Sequence, residues 1–559
     1  MEKRALIAFV LSMLVLFFWE YYFGMVKSPE TPPQQQQSEQ AAPAPSTTQP
    51  QAPPPPAVQG IAPRMLPDER LTRLEKQYES WTADSSLYDM QILAPGARMS
   101  SFILKKFRQE VSPDSPPMQM VPAQASGYLP LALDLLFHQD WQLSTRPYTS
   151  SSPSKVAVPA EGEPPVITFQ TEVPDRIRVT KTFTLIPGTY LVDAEFRLKN
   201  LSGESLGDQM GISFFFQPYS DIKEESSYNQ SQFSYYEKGS VSAVSLKDLQ
   251  KKPDTVLKPP IDWIGYENNY FIQAIVPLET GGYQIVPRVL DADKGLIQVV
   301  YLTDPFQIEP NQEKSFKVRL YVGAKELGQL ARAEHNLSEA VDYGWFTFLA
   351  KPLLYVLKWF YEYLGNYGWA IILLTVLIKI VFWPLTHKSY QSMQKMKKVQ
   401  PKIAQIREQY KDDKEKLNQE LMNVYRTYKV NPMGGCLPMV LQIPVFFALY
   451  RMLNGAVELR HEPFMLWIND LTAPDRLYVG FEIPYLGGIP VLTLLMGITM
   501  FIQQKMTPSA GDPRQEQIML LMPVMFTVFF INFPSGLVLY WLVNNILSIA
   551  QQYWINRNA

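Results

Sequence analysis

A single lysine interrupts a long apolar segment in the C-terminal third of the chain. Lys379 follows the letters IILLTVLI and precedes IVFWPL. Placing a lysine in hydrocarbon costs roughly 2.5–3.5 kcal/mol on insertion scales, so the residue is a candidate for function. The alternative is a structural lysine whose ammonium extends to the membrane interface, because His387 lies only about 12 Å further along a helix.

Polar residues in the apolar segments could surround this cation. Thr375 lies one helical turn before Lys379, on the same helix face. The further polar positions that we consider are Gln442, Asn544, Asn545 and Ser548, with Gln551 beyond them. Each alone is typical of hydrogen bonding between helices, but together with a cation they indicate a hydrophilic groove. The cores of these segments hold no Asp or Glu, so an acidic segment of a passing substrate could supply the counter-ion.

The composition disfavours metal, redox and nucleic-acid chemistry. Cys436 is the only cysteine, and the four histidines are scattered singly. An internal disulfide and a cysteine metal cluster are therefore excluded, and a catalytic-histidine constellation is disfavoured. We predict no catalytic residue, no metal and no cofactor. A formal net charge of −2 provides no field for a specific nucleic acid.

The start of the chain carries two successive signals. Lys3 and Arg4 precede an apolar run with an aromatic end over residues 5–23. This pattern predicts an uncleaved signal-anchor transmembrane helix over residues 1–27, with its N-terminus in the cytoplasm. Residues 28–60 are rich in proline and glutamine and cannot bury a core, so we predict a linker there.

Residues 61–335 carry a β pattern. Stretches such as KTFTLIPGTYLVDAEFRLKN, YFIQAIVP and KSFKVRLYVG alternate polar and apolar residues at period two, and turn signals separate them. Many short strands without interleaved helices predict an all-β sandwich. Because the signal-anchor exits outward, we place this domain in the periplasm.

The β domain could instead be an enzyme or a sugar binder. His138 is the only histidine between residues 28 and 321, and no acid–histidine pattern surrounds it in the sequence. We therefore favour an unoccupied scaffold, with a face on which partners could dock.

The last third of the chain alternates apolar segments with charged loops. Residues 336–365 have apolar and aromatic residues at helical spacing but also Lys351, Lys358 and Glu362, which predicts an amphipathic helix in the membrane interface. Residues 366–559 predict a core of five transmembrane helices. The predicted spans are 366–385, 436–453, 486–503, 517–531 and 536–550.

The loop over residues 386–432 is basic and patterned. Two stretches with apolar residues at three–four spacing predict a helical hairpin in the cytoplasm, and Asp412 with Glu415 resembles a capping box that opens its second helix. The residues that we predict to dock ribosomes, targeting factors or anionic lipids are Lys395, Lys397, Lys398, Lys402 and Arg407. An equally weighted alternative is a solvated hairpin whose lysines only fix the topology.

Loop charge predicts the orientation of the core. The loop over residues 454–485 has only Arg460 and Arg476 against five acidic residues, whereas the loop over residues 386–432 has an excess of lysine and arginine. The positive-inside rule puts the basic loop in the cytoplasm. With an even number of spans, both termini are then cytoplasmic.

Several ordered motifs cover about residues 341–552. They include QPKIAQIREQY, KVNPMGGCLPMVLQIPVFFALY and MPVMFTVFFINFPSGLVLYWLVNN. This set resembles the YidC-type membrane protein insertases, which are relatives of the mitochondrial and chloroplast insertases. The signal-anchor and the large β domain resemble the Gram-negative branch of this YidC/Oxa/Alb family.

The resemblance implies a fold and a mechanism. The fold is a membrane α-helical bundle of six transmembrane helices, five of which form the insertase core, plus a periplasmic all-β super-sandwich domain. The mechanism uses a hydrophilic groove whose cation attracts acidic residues of a substrate's extracellular tail, without nucleotide hydrolysis. The implied location is the bacterial inner membrane. The implied partners are nascent membrane proteins, the Sec translocon, the ribosome, the signal recognition particle or its receptor, and membrane lipids.

Two positions depart from the family pattern. The groove cation is usually arginine, whereas this chain has Lys379, which keeps the charge but loses the bidentate fork. An aromatic pair in the last span is commonly Tyr-Tyr, whereas this chain has Tyr540 and Trp541. Trp541 offers only an N–H donor, so a role for a second hydroxyl is in doubt.

A secondary transporter or channel is the competing class of function. Coupled transporters typically show internal repeats and acidic residues within the membrane. The spans show neither feature in this sequence. Insertion is therefore favoured over ion or solute flux.

Overall fold

The structure is a computed structural model with all side chains. It describes residues 79–112, 114–121, 128–219, 229, 231–253, 255–411, 413–428, 430, 437–481, 483–484, 486–506 and 513–557. The predicted signal-anchor, the predicted linker, Asp412 and Cys436 lie outside the described residues.

A β-rich domain comprises the N-terminal part of the described chain. Its strands are Ser80–Ser85 (β1), Tyr88–Leu93 (β2), Arg98–Arg108 (β3), Pro117–Gln119 (β4), Ala132–Leu135 (β5), Thr149–Ser150 (β6), Lys155–Val158 (β7), Val166–Val173 (β8), Ile177–Leu185 (β9), Leu191–Asn200 (β10), Leu206–Asp208 (β11), Met210–Phe216 (β12), Gln232–Glu237 (β13), Ser240–Val244 (β14), Ile261–Glu267 (β15), Phe271–Pro277 (β16), Tyr283–Asp291 (β17), Leu296–Thr303 (β18), Phe306–Ile308 (β19) and Glu313–Ala324 (β20).

These strands form four sheets. The largest has nine strands in the order β14-β13-β15-β16-β20-β10-β9-β8-β6. A five-stranded sheet has the order β4-β3-β2-β1-β7, a four-stranded sheet the order β17-β18-β12-β5, and β11 pairs with β19. Pairing is antiparallel except between β1 and β7, which run parallel.

The predicted period of two is confirmed in the central strands. Along β9, buried residues alternate with half-buried ones, and the neighbouring β10 pairs with it in regular register from Val192–Leu185 to Asn200–Ile177. The inward-facing residues of the large sheet join one continuous apolar core with residues of the smaller sheets. One expectation was wrong in detail, because a short helix, Leu246–Lys251 (α1), interrupts the strands.

Helices dominate the rest of the described chain. They are Leu327–Arg332 (α2), Thr347–Leu364 (α3), Tyr367–Gln409 (α4), Lys414–Thr427 (α5), Leu437–Gly455 (α6), Val491–Met506 (α7), Pro513–Phe529 (α8) and Ser535–Arg557 (α9). Among the described residues, α4 alone is both long enough and apolar enough to cross a membrane. Val491–Met506 and Met519–Asn532 are shorter apolar helices.

The predicted amphipathic helix over residues 336–365 is shorter in the structure, where α3 begins at Thr347 after two 3-10 turns. This helix packs against α4 and α6. Ala350, Leu354 and Leu357 are buried at helical spacing on the packed face. The large side chains left exposed on or just before this helix are Trp345, Phe348, Tyr355, Trp359 and Tyr363. A helix with an aromatic outer face and a buried aliphatic face suits a membrane interface.

The second predicted span and the first hairpin helix are one element. The sequence predicts a span that ends at residue 385, but α4 continues without a break to Gln409 although it contains Pro384 and Pro401. The Thr386 hydroxyl donates to the carbonyls of Phe382 and Trp383, both at 3.1 Å, one turn back on its own helix. The predicted span and the first helix of the hairpin therefore form one continuous helix.

The hairpin closes through a small apolar core of its own. Val399, Ile403 and Ile406 of α4 pack with Val424 of α5, as the three–four spacing predicts. The cap differs from the prediction, because the Asp413 side chain accepts from the Lys416 amide at 3.1 Å and is the N-cap of α5.

Candidate substrate groove

Lys379 is buried where α4 packs against α9. Its Nζ atom donates to Ser548 Oγ at 2.6 Å and lies 3.5 Å from Asn544 Oδ1. The Ser548 hydroxyl donates its own hydrogen to the Asn544 carbonyl at 2.7 Å, so its oxygen is free to accept from the ammonium. Within the described part of the chain, Lys379 forms no ion pair with a carboxylate. The cation is thus held by neutral dipoles.

The structure does not direct Thr375 to the ammonium. The Thr375 hydroxyl is buried and donates to the Ile371 carbonyl of its own helix at 2.6 Å. A threonine can satisfy its donor in this way without a partner on another helix. Thr375 and Lys379 lie on one helix face, as predicted, but the Thr375 hydroxyl bonds within its own helix.

The other polar residues tie α9 to three neighbouring helices. Gln442 Nε2 donates to Tyr540 Oη at 3.3 Å, Asn545 Nδ2 to Thr499 Oγ1 at 3.3 Å, and Gln551 Nε2 to Thr386 Oγ1 at 2.9 Å. The helices joined to α9 are α6, α7 and α4, respectively. Interhelical bonds of this kind contribute about 0.6–2 kcal/mol each in membranes. The polar residues predicted as one groove therefore form separate contacts along α9.

Trp541 belongs to an aromatic cluster. Its ring centroid lies 4.8 Å from that of Phe446 and 5.0 Å from that of Phe530. The ring centroid of Phe526 lies 6.5 Å from that of Trp541 and completes the cluster. Aromatic rings at these separations pack favourably beyond the area that they bury. Trp541 thus joins α9 to α6 and α8 through ring contacts.

Thr386 and Thr499 are polar partners that the sequence argument omitted. Thr386 lies seven residues after Lys379, two helical turns along the same face, and this spacing is the signal that could have identified it. Thr499 lies inside an apolar helix and has no comparable relation in sequence to Asn545. Only the packing of α7 on α9 brings that pair together.

The outer surface of these helices is apolar. The exposed large side chains include Ile380 and Val381 of α4, Ile498 of α7, Val524 and Val528 of α8, and Ile546 of α9. Polar groups are buried between the helices while aliphatic groups face outward. This arrangement is typical of a bundle surrounded by lipid rather than by water.

The basic residues of the hairpin divide into two groups. Lys395, Lys397 and Lys398 are exposed on α4. Lys402 Nζ instead donates to Tyr428 Oη at 3.1 Å and lies 5.2 Å from the centre of that ring. Arg407 is half-buried. Four of the five predicted docking residues are therefore exposed, and Lys402 is one of them although it also contacts Tyr428.

His138 has an acidic partner that the sequence pattern did not reveal. His138 Nδ1 lies 2.6 Å from Asp208 Oδ2, and the Asp208 side chain is fully buried. Asp208 Oδ1 also accepts from the amides of Phe137 and Gln209, at 3.0 and 2.7 Å. The carboxylate thus organises the loop before His138. The sequence around His138 shows no acid–histidine pattern, and this partner lies 70 positions away.

The helices bury polar side chains between them, expose aliphatic side chains and are joined to a large β-rich domain. These features define an integral membrane protein. A family model described as "60Kd inner membrane protein" matches residues 359–559, and one described as "YidC periplasmic domain" matches residues 80–356. The chain belongs to the YidC family of membrane protein insertases. It is accordingly a non-enzymatic transport protein of the inner membrane that inserts other membrane proteins, and its β-rich domain is periplasmic.

Relatives and a solved structure extend this match. Membrane protein insertase YidC of Syntrophobacter fumaroxidans is 68% identical over 559 residues, covering 100% of both chains. The same-named protein of Syntrophus aciditrophicus is 40% identical over 577 aligned positions, again covering 100% of both. A crystal structure of an active YidC insertase is similar over 84% of this chain and 91% of that chain, at 16% identity and a TM-score of 0.36. The family assignment rests on the sequence matches.

Proposed function

We propose that this insertase receives the extracellular tail of its substrate in a hydrophilic groove centred on Lys379. Acidic residues of the tail pair transiently with the ammonium while the hydrophobic segment moves into lipid. Thr375, Gln442, Tyr540, Trp541, Asn544, Asn545 and Ser548 line or support the groove in this proposal. No nucleotide is hydrolysed.

The single observation that carries the proposal is the set of partners around Lys379. The ammonium is buried, and its contacts are with a hydroxyl and an amide oxygen. A buried cation that lacks a carboxylate keeps an unmet electrostatic demand. A charge-assisted hydrogen bond to a carboxylate is roughly twice as strong as a neutral one, so an acidic tail competes well for Nζ.

The arrangement of Ser548 supports transient rather than permanent pairing. Ser548 and Asn544 supply hydrogen-bond acceptors to the ammonium between substrates, but they are neutral and leave its charge unbalanced. An incoming carboxylate displaces or adds to these contacts, and its departure lets them reform. A fixed Asp or Glu at either position would neutralise the cation and remove its attraction for the tail.

We further propose the topology that the loop charges predict. Six transmembrane helices, of which the first is the signal-anchor over residues 1–27, leave both termini in the cytoplasm. The helices α4 and α6–α9 supply the other five, α3 lies in the periplasmic interface, and the periplasmic strands form a super-sandwich. The domain limits proposed are residues 1–27, 28–60, 61–335, 336–365 and 366–559, with the hairpin over residues 386–432.

The hairpin is proposed as the cytoplasmic docking surface. Three positive charges on α4 are exposed to solvent, those of Lys395, Lys397 and Lys398. Such a cluster attracts ribosomal RNA-bearing surfaces, a targeting factor or anionic lipid at short range. The partners proposed on this basis are the ribosome, the signal recognition particle or its receptor, and lipids, with the Sec translocon as a partner within the membrane.

The test is insertion of a small membrane protein into liposomes that contain the full chain, scored by protease protection. Two substrates are compared, one with an acidic translocated tail and one in which Asn and Gln replace the acids. The variants are Lys379→Ala and Lys379→Arg, with Lys388→Ala as the matched control, because Lys388 is an exposed lysine on the same helix.

Under the proposal, Lys379→Ala reduces insertion of the acidic substrate by about tenfold, the effect of roughly 1.4 kcal/mol. Lys379→Arg and Lys388→Ala retain most of it, and the neutral substrate responds weakly to all three. Equal loss for both substrates in Lys379→Ala would instead assign the lysine a structural role. Full activity of Lys379→Ala on the acidic tail would refute the electrostatic groove.

A further inference from the structure

Two cations are buried together in the core of the β-rich domain. Lys181 lies at an inward-facing position of β9, and Arg98 is the first residue of β3; both are fully buried. Lys181 Nζ donates to the carbonyls of Gly96 and Leu131, at 2.6 and 2.7 Å. Lysine and arginine are almost never fully buried unless paired. Neither of these two residues forms an ion pair within the described part of the chain.

The surroundings of Arg98 are formed where the segment before β3 approaches the segment before β6. The Gly96 amide donates to the Arg146 carbonyl at 2.7 Å, which sets the segment before β3 against the segment before β6. Gly96 has φ +74°, and a Cβ atom there would overlap the Ser144 carbonyl and touch Arg98 Nε. Glycine is therefore required, and the approach brings Arg98, Ser144 and Tyr148 into one cluster.

Four polar atoms in this cluster have no hydrogen-bond partner. They are Nη1 and Nη2 of Arg98, Oγ of Ser144 and Oη of Tyr148, and none of them is exposed to solvent. Arg98 uses only Nε, which donates to the Pro95 carbonyl at 3.3 Å. All four atoms can donate a hydrogen. Burial of such donors without an acceptor is costly, so an acceptor bound among these residues would stabilise the folded domain.

The net charge of the cluster is positive, which suits an acceptor that is an anion. Asp134 is buried beside it and accepts from the Ser144 amide at 3.2 Å. It acts on Arg98, Tyr148 and Lys181 through space but forms no ion pair with either cation. When Lys181 and Arg98 are both protonated, two cations face one carboxylate and leave one positive charge in excess.

We propose that a small monovalent anion of the size of chloride binds among Arg98, Ser144 and Tyr148, near Lys181. The anion accepts from the guanidinium and the two hydroxyls and balances the excess charge. A water molecule would satisfy some of these donors but would leave the charge unbalanced. Burial and the Arg98 charge lower the pKa of Lys181 well below its usual range, and a bound anion opposes both effects. The lysine then remains protonated and holds the carbonyls of Gly96 and Leu131.

The test uses the purified full chain in detergent, with thermal unfolding of its β-rich domain followed at constant ionic strength. Sodium chloride is replaced stepwise by sodium gluconate, whose anion is much larger than chloride. The test variant is Tyr148→Phe, which removes one hydroxyl and keeps the ring. Tyr301→Phe is the matched control, because Tyr301 is equally buried and its hydroxyl also lacks a partner. Crystals grown in sodium bromide locate the ion by anomalous scattering.

The proposal expects Tm of the wild type to rise with chloride concentration, as mass action requires for a ligand of the folded state. Tyr148→Phe loses at least half of that rise, and Tyr301→Phe keeps it. An anomalous peak within hydrogen-bonding distance of the Arg98 guanidinium places the ion. A Tm that is indifferent to chloride in the wild type, an equal rise in both variants, or an ordered water in place of the peak would each overturn the proposal.

Discussion

The Lys379 ammonium and the Ser548 hydroxyl form a 2.6 Å hydrogen bond across the contact between α4 and α9. The two residues are 169 positions apart in sequence. The bond therefore reports the packing of the first and last helices of the core. It also fixes the position of the only groove cation that the sequence argument selected.

A double-mutant cycle on this pair measures how strongly the two helices are coupled. Ser548→Ala leaves the ammonium with Asn544 at 3.5 Å as its remaining partner, so we expect the core to lose about 0.6–2 kcal/mol of stability. In a Lys379→Met background the same serine change should cost less, because only the bonds of Ser548 to the Asn544 carbonyl and to Tyr390 remain to be lost. Unfolding of the core in mixed detergent gives all four values. Additive effects of the two changes would contradict the coupling.

Asp475 should anchor the start of α7. Its buried carboxylate accepts from the Trp467 indole at 2.6 Å and from the backbone amides of Leu492 and Thr493. It thus caps a helix that begins directly after Pro490, a residue whose side chain cannot cap it. We expect Asp475→Ala to destabilise the core by about 1–3 kcal/mol in thermal unfolding.

The control for Asp475 is Asp413→Ala, which removes the N-cap of α5. That cap is exposed, so its loss should cost about 1 kcal/mol or less and should affect the hairpin only. Amide exchange separates the two cases, with faster exchange at the start of α7 in one and at the start of α5 in the other. An Asp475→Ala protein as stable as the wild type would show that another group caps α7.

Arg460 should hold the β-rich domain against the core. Its guanidinium donates to the carbonyls of Arg108 and Gln109, at 2.7 and 2.8 Å, and lies 5.1 Å from the Phe271 ring. We expect Arg460→Ala to raise amide exchange at the end of β3 by about tenfold, which corresponds to roughly 1.4 kcal/mol. Arg460→Lys should recover little, because an ammonium cannot span two carbonyls and stack on a ring.

Arg476 provides the control within the same loop. Its guanidinium donates to the Asp475 and Ile531 carbonyls and to Asn532, all within the helical part of the molecule. Arg476→Ala should therefore leave exchange at the end of β3 unchanged. If both arginine variants accelerate that exchange equally, the effect comes from general loosening of the loop.

Periodicity predicted the elements well because it depends on neighbouring residues. The strands of the β-rich domain and the stripe of Val399, Ile403 and Ile406 follow directly from periods of two and of three to four. The continuous α4 was not predicted, since proline is usually taken to end a helix. The helix nevertheless continues through Pro384 and Pro401 and packs against α3, α5 and α9, contacts that a local pattern does not show.

Contacts between distant segments were out of reach. Spacing placed Thr375 on the face of Lys379 but could not show that its hydroxyl would bond within its own helix. The pairing of His138 with Asp208, 70 positions apart, has no local pattern either. Lys181 did leave a signal, because it is a charged residue at an inward position of an alternating strand.

The loop beside Arg460 should make the stability of the core depend on pH. Burial, aided by the Arg460 charge and opposed by Asp470, lowers the pKa of His461 to about 4 from 6.5. The unfolded chain thus binds a proton that the folded chain refuses between these values, so stability is full above pH 6.5 and is lost as pH falls toward 4. We expect a loss on the order of 1 kcal/mol, after allowance for the solvent screening of a half-buried group. His461→Asn suits the control, because asparagine tolerates the φ of +61° at this position. Chemical unfolding at pH 7.5 and 5 should show the wild type losing more stability than the variant, and parallel losses would disprove the role of His461.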